Sequence, residues 1–359
     1  MIEKFIEQYY NDFIPYKTKS WCYEDGILLK ATLDLYLATK NEKYKDFIIS
    51  YLDKFIDDNG KALGYKRENY STDDVEPATV LPWAYEETHK EKFKKAIEIF
   101  KTHLEWQPRT RCGNYFHKLR YPYQVWMDGL YMAQPFSLIT AINDNNNEKI
   151  HDIINQFNNV RKYLFDEKRK LYVHAYDEAH YMQWANKEDG KAPNVWSRAL
   201  GWMMMALVDI IEIAKNKYDM TSLINMYIEL IDGLIPYLDN ETKMIYQVVD
   251  AKDDKDNYLE TSGSAMLAYS LIKAYRIGIV DEKYHKLGHE VFDGICKKYL
   301  VKRDNRYYLG GICQVAGLDN EKRDGSKSYY YSEAKVENEV KGVAPFIMAY
   351  SEILREKEE

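Results

Sequence analysis

Tyr121-Pro122-Tyr123-Gln124-Val125-Trp126-Met127-Asp128-Gly129-Leu130-Tyr131-Met132-Ala133 brings an aromatic, proline-containing approach to an aspartate at the head of a long apolar run. The spacing predicts a helix over 127–143, with Asp128 in its first turn and Gly129 leaving room beside the carboxylate. Pro135 is expected to kink that helix or delay its start. Asp128 is the leading candidate for a catalytic acid. By local spacing alone, however, an Asp here is more simply a helix cap, satisfying orphan N–H groups and favoured by the helix dipole.

Working outward, Ile2, Phe5, Ile6, Tyr9, Phe13 and Ile14 recur at helical spacing before Pro15. Further helices are expected at about 26–39, 44–56, 77–87, 91–105, 147–164, 196–216, 219–238, 262–277, 282–299 and 342–355. Short strand-like runs are expected at 171–177 and 306–313, and 107–124 reads as a long loop rich in aromatic and basic residues. No composition shift or low-complexity linker divides the chain, so residues 1–359 are expected to form one domain. Eleven or twelve antiparallel helices with little strand point to an all-α fold, an α-toroid or a helical solenoid. No internal repeat supports a solenoid of the TPR or HEAT kind.

The chain is long enough to bury a sizeable core, and 46% of it is hydrophobic. Its 33 Tyr and 7 Trp suit a wet, sugar-like ligand, because tyrosine carries an apolar body with a polar tip. A net charge of −7 argues against a general nucleic-acid or anionic-membrane partner. Cys22, Cys112, Cys296 and Cys313 are widely spaced and read as reduced thiols. No apolar run reaches the roughly 18 residues of a membrane span, no signal peptide is visible, and the expected location is cytoplasmic.

Four clusters precede long apolar helices: Asp73-Asp74, Trp126-Met127-Asp128, Trp196-Ser197-Arg198 and Glu260-Thr261-Ser262. If alternate helices line a ring, these clusters share one rim and converge on one pocket. An acid role for Asp128 requires an effect opposing the cap, such as desolvation by Trp126 or a second carboxylate, for which Asp73 is the candidate. Arg198, flanked by Trp196 and Trp202, is placed to grip a carboxylate while an indole stacks on a ring, although a surface Arg beside core Trp residues has the same pattern. His174 lies in an aromatic run where a hydrogen-bonded core histidine is the commoner outcome. His117 and Lys118 extend the basic character of the loop, Thr261-Ser262 reads as a cap pair, and Arg323-Asp324-Gly325-Ser326 reads as a turn. There is no glycine-rich phosphate loop, no Gly-x-Ser-x-Gly elbow and no His-Glu-x-x-His. His285 and His289 share a helix face with no third ligand evident, and are expected to be solvated.

Taken together, Trp126-Met127-Asp128-Gly129-Leu130-Tyr131-Met132-Ala133, Glu260-Thr261-Ser262-Gly263-Ser264-Ala265-Met266, and Arg323-Asp324-Gly325-Ser326 followed by Tyr330-Tyr331 resemble the unsaturated glycuronyl hydrolases, specifically glycoside hydrolase family 105. The resemblance spans nearly the whole chain, from Trp21-Cys22-Tyr23-Glu24-Asp25-Gly26 to Lys341-Gly342-Val343. It implies an (α/α)6 barrel acting on oligosaccharides that a polysaccharide lyase leaves with a terminal 4,5-unsaturated uronate, here from rhamnogalacturonan. The double bond is hydrated: an Asp protonates carbon 4, water adds at carbon 5, and the hemiketal opens. By the same resemblance Asp128 is the acid and base, and Asp73 is the neighbour that keeps it protonated. The resemblance also places His174, Arg198 and Trp202 in the substrate pocket, with Arg198 suited to polar contacts and Trp202 to stacking, and adds Trp196, Tyr23 and Lys118 as further substrate-binding candidates. No metal or cofactor is expected, because a carboxylic acid and water suffice. Where relatives carry glycines and Asn near the Arg, this chain has Ala199-Leu200-Gly201, and Pro77-Ala78 replaces the usual Pro-Gly. The alternatives are a glucuronyl hydrolase acting on glycosaminoglycan or ulvan fragments, and a non-catalytic sugar-binding toroid.

Overall fold

A computed structural model of the chain describes residues 1–357. Its helices are α1 (Ile2–Asn11), α2 (Tyr23–Thr39), α3 (Glu42–Phe55), α4 (Leu81–Thr88), α5 (Glu91–Trp106), α6 (Met127–Asn143), α7 (Asn147–Leu164), α8 (Ser197–Ala214), α9 (Thr221–Leu234), α10 (Thr261–Arg276), α11 (Glu282–Tyr299), α12 (Lys327–Ser332) and α13 (Val340–Arg355). A 3-10 stretch, Glu76–Val80, leads into α4.

Two kinds of helix alternate. In α8 every residue from Ser197 to Ile211 is buried, whereas α5 buries only Phe93, Ala96, Phe100, His103 and Leu104, one stripe at helical spacing. Helices buried on all sides belong inside, and those with one stripe belong outside. α2, the 76–88 segment, α6, α8, α10 and α13 accordingly close an inner ring, with α13 returning to pack on α2. α3, α5, α7, α9 and α11 each cover the inner helix that precedes them. The sixth outer position is filled from the other end of the chain, since Phe5 of α1 packs edge-on against Phe346 of α13 at 6.0 Å. The fold is an (α/α)6 barrel. Tight closure of the ring depends on Gly26, where a Cβ would fall 1.9 Å from Glu76 Oε2 and 2.7 Å from the Pro77 backbone.

Four antiparallel ribbons sit on the barrel: β1 (Gln124–Trp126) with β4 (Ala175–Asp177), β2 (Phe165–Asp166) with β3 (Leu171–Tyr172), β5 (Leu300–Arg303) with β6 (Arg306–Leu309), and β7 (Ile312–Cys313) with β8 (Lys335–Val336). The ribbon of β1 and β4 sets Trp126 opposite Ala175, directly before α6. An isolated bridge pairs Ser71 with Lys118.

Three local expectations are corrected. α6 runs unbroken from Met127 through Pro135 to Asn143, because the lost N–H bond is tolerated where neighbouring inner helices clamp both sides. α1 ends at Asn11, and Ile14 is 75% exposed just before the proline that disfavours helical geometry there. The 77–87 helix begins as a 3-10 turn at Glu76. All four cysteines are free thiols. Among the described residues, no helix is long and apolar enough to cross a membrane.

Candidate active site

The inner helices begin on one rim, and five of them place a polar side chain at their second position: Glu24 in α2, Asp128 in α6, Arg198 in α8, Ser262 in α10 and Lys341 in α13. The sixth contributes Asp73 and Asp74 from the 3-10 turn Thr72–Asp74 ahead of it. A pocket of about 710 Å³ opens on this rim, lined by Tyr23, Asp73, Lys118, Asp128, Trp196, Arg198 and Trp202 among others. Of the residues named for catalysis or substrate binding, His174 is off the wall, and of the four clusters Glu260-Thr261-Ser262 does not line it. His174 is fully buried behind Asp128.

Asp128 is not a cap. The capping position is Trp126, which makes no side-chain cap bond, and Asp128 stands in the first turn where the helix dipole favours its charge. Its Oδ2 is buried without a hydrogen-bond partner and faces His174 Nε2 at 3.4 Å. The ribbon of β1 and β4 creates this contact, with the Met127 N–H donating to the His174 carbonyl at 3.4 Å. His174 is held from the other side, where Nδ1 and the Tyr330 hydroxyl share a 2.7 Å hydrogen bond. Burial pushes the Asp128 carboxyl up, but His174, His117 and the Asp128 backbone N–H together outweigh it, and the group rests below the ordinary aspartate range.

Asp73 forms an ion pair with Lys118, and its other oxygen lies 3.6 Å from His117 Nε2. The Ser71–Lys118 bridge sets this pair, together with the Thr72 N–H donating to the His117 carbonyl at 3.0 Å. Burial raises Asp73, but Lys118 lowers it further, so it too rests as a carboxylate. Burial pushes His117 down to about 4. Asp73 and Asp128 repel each other, the Asp128 charge raising Asp73.

Arg198 lines the pocket and is also held from within the barrel. It is 1% exposed; Nε donates to Ser262 Oγ at 2.8 Å, Nη2 donates to the Cys313 carbonyl, and Glu260 Oε1 lies 3.7 Å away. These bonds engage the Nε/Nη2 edge of the guanidinium and fix its plane. Glu260, not Thr261 or Ser262, caps α10, accepting from the Gly263 N–H at 2.7 Å. Trp196 donates Nε1–H to Gln247 Oε1 at 3.2 Å and packs its ring 4.8 Å from His174. Trp202 stacks on Tyr131 at 5.1 Å. On the 107–124 loop, Tyr121 and His117 both stack against Trp126, at 5.1 and 4.9 Å, and lie 6.4 Å from each other, building an aromatic wall that single-residue reading did not assemble.

Sequence reasoning also passed over Lys17 and Arg120 and took Glu24 and Arg323 only as parts of longer motifs, and all four line the same pocket. Glu24 was open to discovery, because it occupies in α2 the position that Asp128 occupies in α6. Asp74 is half-buried on the wall, its side chain makes no hydrogen bond to the described residues, and burial followed by the Asp73 charge pushes it up to about 7. An acid whose folded pKa exceeds its unfolded value of about 3.9 weakens the fold as pH rises from that value through the folded one. Asp74→Asn is therefore expected to stabilise the protein by about 1–3 kcal/mol at pH 8, allowing for partial exposure, and by almost nothing at pH 4. Urea midpoints at the two pH values test this, and an equal shift at both refutes it.

Residues 1–357 match the family model described as Glycosyl Hydrolase Family 88. The chain is 35% identical over 231 residues to the 24.9 kDa protein in picA locus of Rhizobium radiobacter, spanning 62% of this chain and 98% of that protein. It is 24% identical over 270 residues to the unsaturated rhamnogalacturonyl hydrolase YesR of Bacillus subtilis, spanning 72% of each. The solved structure of a family 105 glycoside hydrolase of C. acetobutylicum superposes with a TM-score of 0.92 at 38% identity, covering 98% of this chain and 97% of that one.

Proposed function

The chain belongs to Glycosyl Hydrolase Family 88, and on that premise we propose that it removes a terminal 4,5-unsaturated uronate from oligosaccharides left by lyase-cut pectin, with Asp128 as acid and base. The observation that carries this reading is the buried, unpartnered Asp128 Oδ2 on the wall of the rim pocket. A carboxyl that lines the pocket while its Oδ2 is turned inward to His174 can exchange a proton with a bound sugar.

The resting charge of Asp128 gives the substrate a part in its own activation. The uronate carboxylate brings a like charge into a pocket already holding Asp73 and Glu24, which raises Asp128 toward its protonated form. In the reaction, the Asp128 proton goes to carbon 4, and the electron pair of the double bond forms the new C–H bond. The cation left at carbon 5 is shared with the ring oxygen and faced by the new Asp128 carboxylate. Water adds at carbon 5 and returns one proton to Asp128, so the net change is addition of one water. The hemiketal then opens and the neighbouring sugar leaves. Asp73 and Lys118 hold the carboxylate-rich wall, His174 orients Asp128, and Tyr23, Trp196 and Trp202 shape the sugar site around Arg198.

Rhamnogalacturonan is favoured as the source because YesR is named an unsaturated rhamnogalacturonyl hydrolase. The test is a panel of unsaturated disaccharides from rhamnogalacturonan, glycosaminoglycan and ulvan digests, followed by loss of the ultraviolet absorbance of the double bond. The expected result is at least tenfold higher kcat/KM on the rhamnogalacturonan product. A preference for glucuronyl substrates replaces the pectin assignment, and binding without absorbance loss on any substrate removes the proposed reaction.

A further inference from the structure

Away from the rim, α11 carries His285 and His289 one turn apart, and the end of α13 brings Glu356 to face both. His285 Nε2 lies 2.5 Å from Glu356 Oε1, His289 Nε2 lies 3.0 Å from Glu356 Oε2, and the two Nε2 atoms are 3.2 Å apart. Tyr275 stacks on the His285 ring at 4.3 Å and holds its plane. None of the three lines the rim pocket.

Two imidazole Nε2 atoms and both oxygens of one carboxylate are thus gathered in one place, each imidazole in its neutral form presenting a lone pair there. A single cation among them would be met by two nitrogen donors and one carboxylate at once.

We propose that His285, His289 and Glu356 form a site for a divalent transition metal of the zinc class on the outer wall of the barrel. Two imidazoles and one carboxylate are a donor set suited to such ions. Metal–ligand bonds of about 2.0–2.1 Å in tetrahedral geometry separate ligand atoms by about 3.3 Å. The 3.2 Å spacing of the two Nε2 atoms and the 3.0 Å spacing of His289 Nε2 from Glu356 Oε2 already lie close to that value, and the 2.5 Å contact of His285 is with the other carboxylate oxygen, Oε1. All three residues are partly exposed, so the fourth ligand is water. The ion staples the end of the last inner helix to α11. Its role is structural, since the sugar chemistry lies elsewhere on the molecule.

Calorimetric titration of the full chain with zinc chloride in a non-chelating buffer tests the site. The expected result is one ion per chain, with a thermal midpoint that rises as zinc saturates. His285→Ala/His289→Ala and, separately, Glu356→Gln are expected to weaken binding at least tenfold while keeping the circular dichroism and turnover of the parent. Failure of the parent to bind zinc stoichiometrically overturns the proposal. So does retention of parental affinity in the double-histidine variant, which would place the ion on other ligands.

Discussion

Asp128→Asn is expected to lower turnover of an unsaturated uronide by about 10³–10⁴-fold, with the melting temperature nearly unchanged. Asparagine preserves the shape of the side chain and can still donate toward His174, so the packing of α6 against β4 survives. It cannot deliver a proton to carbon 4, accept one from water, or place a full negative charge beside the cation. KM should change little, because the carboxylate is not the group that grips the sugar. Decay of the absorbance of the double bond under saturating substrate measures the effect, and activity within tenfold of the parent assigns the acid to another residue. His174→Gln is a useful companion: by removing the partner that holds Asp128 ionised, it should move the pH profile more than the maximal rate.

Arg198→Met is expected to cost about 3–5 kcal/mol of stability, far more than a typical pocket substitution. Glu260 is fully buried, and besides the Gly263 N–H it accepts from the Cys313 N–H at 3.0 Å and from Ser262 Oγ at 2.8 Å. The Arg198 guanidinium is the cation beside it. Removing Arg198 leaves a buried charge without its counter-charge, and also takes away the donors to the Ser262 hydroxyl oxygen and the Cys313 carbonyl. The double variant Arg198→Met/Glu260→Gln should recover part of the loss, because the uncompensated charge is gone. Denaturant midpoints of the three variants decide the matter. A single-variant loss below about 1 kcal/mol would show that Arg198 is a free sugar ligand and not a strut.

The two predictions divide the rim into a reactive part and a supporting part that look alike in one dimension. Asp128 and Arg198 each stand second in an inner helix, directly after a tryptophan and one further residue. What separates them is the neighbour each meets across the ring. Asp128 meets a histidine at a distance that leaves an oxygen available, whereas Arg198 meets a carboxylate, a hydroxyl and a carbonyl that use two of its three nitrogens.

The sequence by itself determined the helical elements, their alternation and the clustering of chemistry at helix starts. These features are local: a buried face repeats every three to four residues, and a helix N-terminus selects its flanking residues within one turn. α11 was predicted over 282–299 and forms over Glu282–Tyr299, because its single apolar stripe is unambiguous. The motif beginning at Tyr121 likewise located α6 and its aspartate from neighbouring residues alone. Only the tertiary structure decided which charges meet. It set His174 against Asp128, gave Asp73 to Lys118, paired Arg198 with Glu260, and carried Glu356 to His285 across 71 residues. Closing the ring fixes these encounters, and contact across a closed ring depends on the rotation and depth of each helix, which no local pattern encodes.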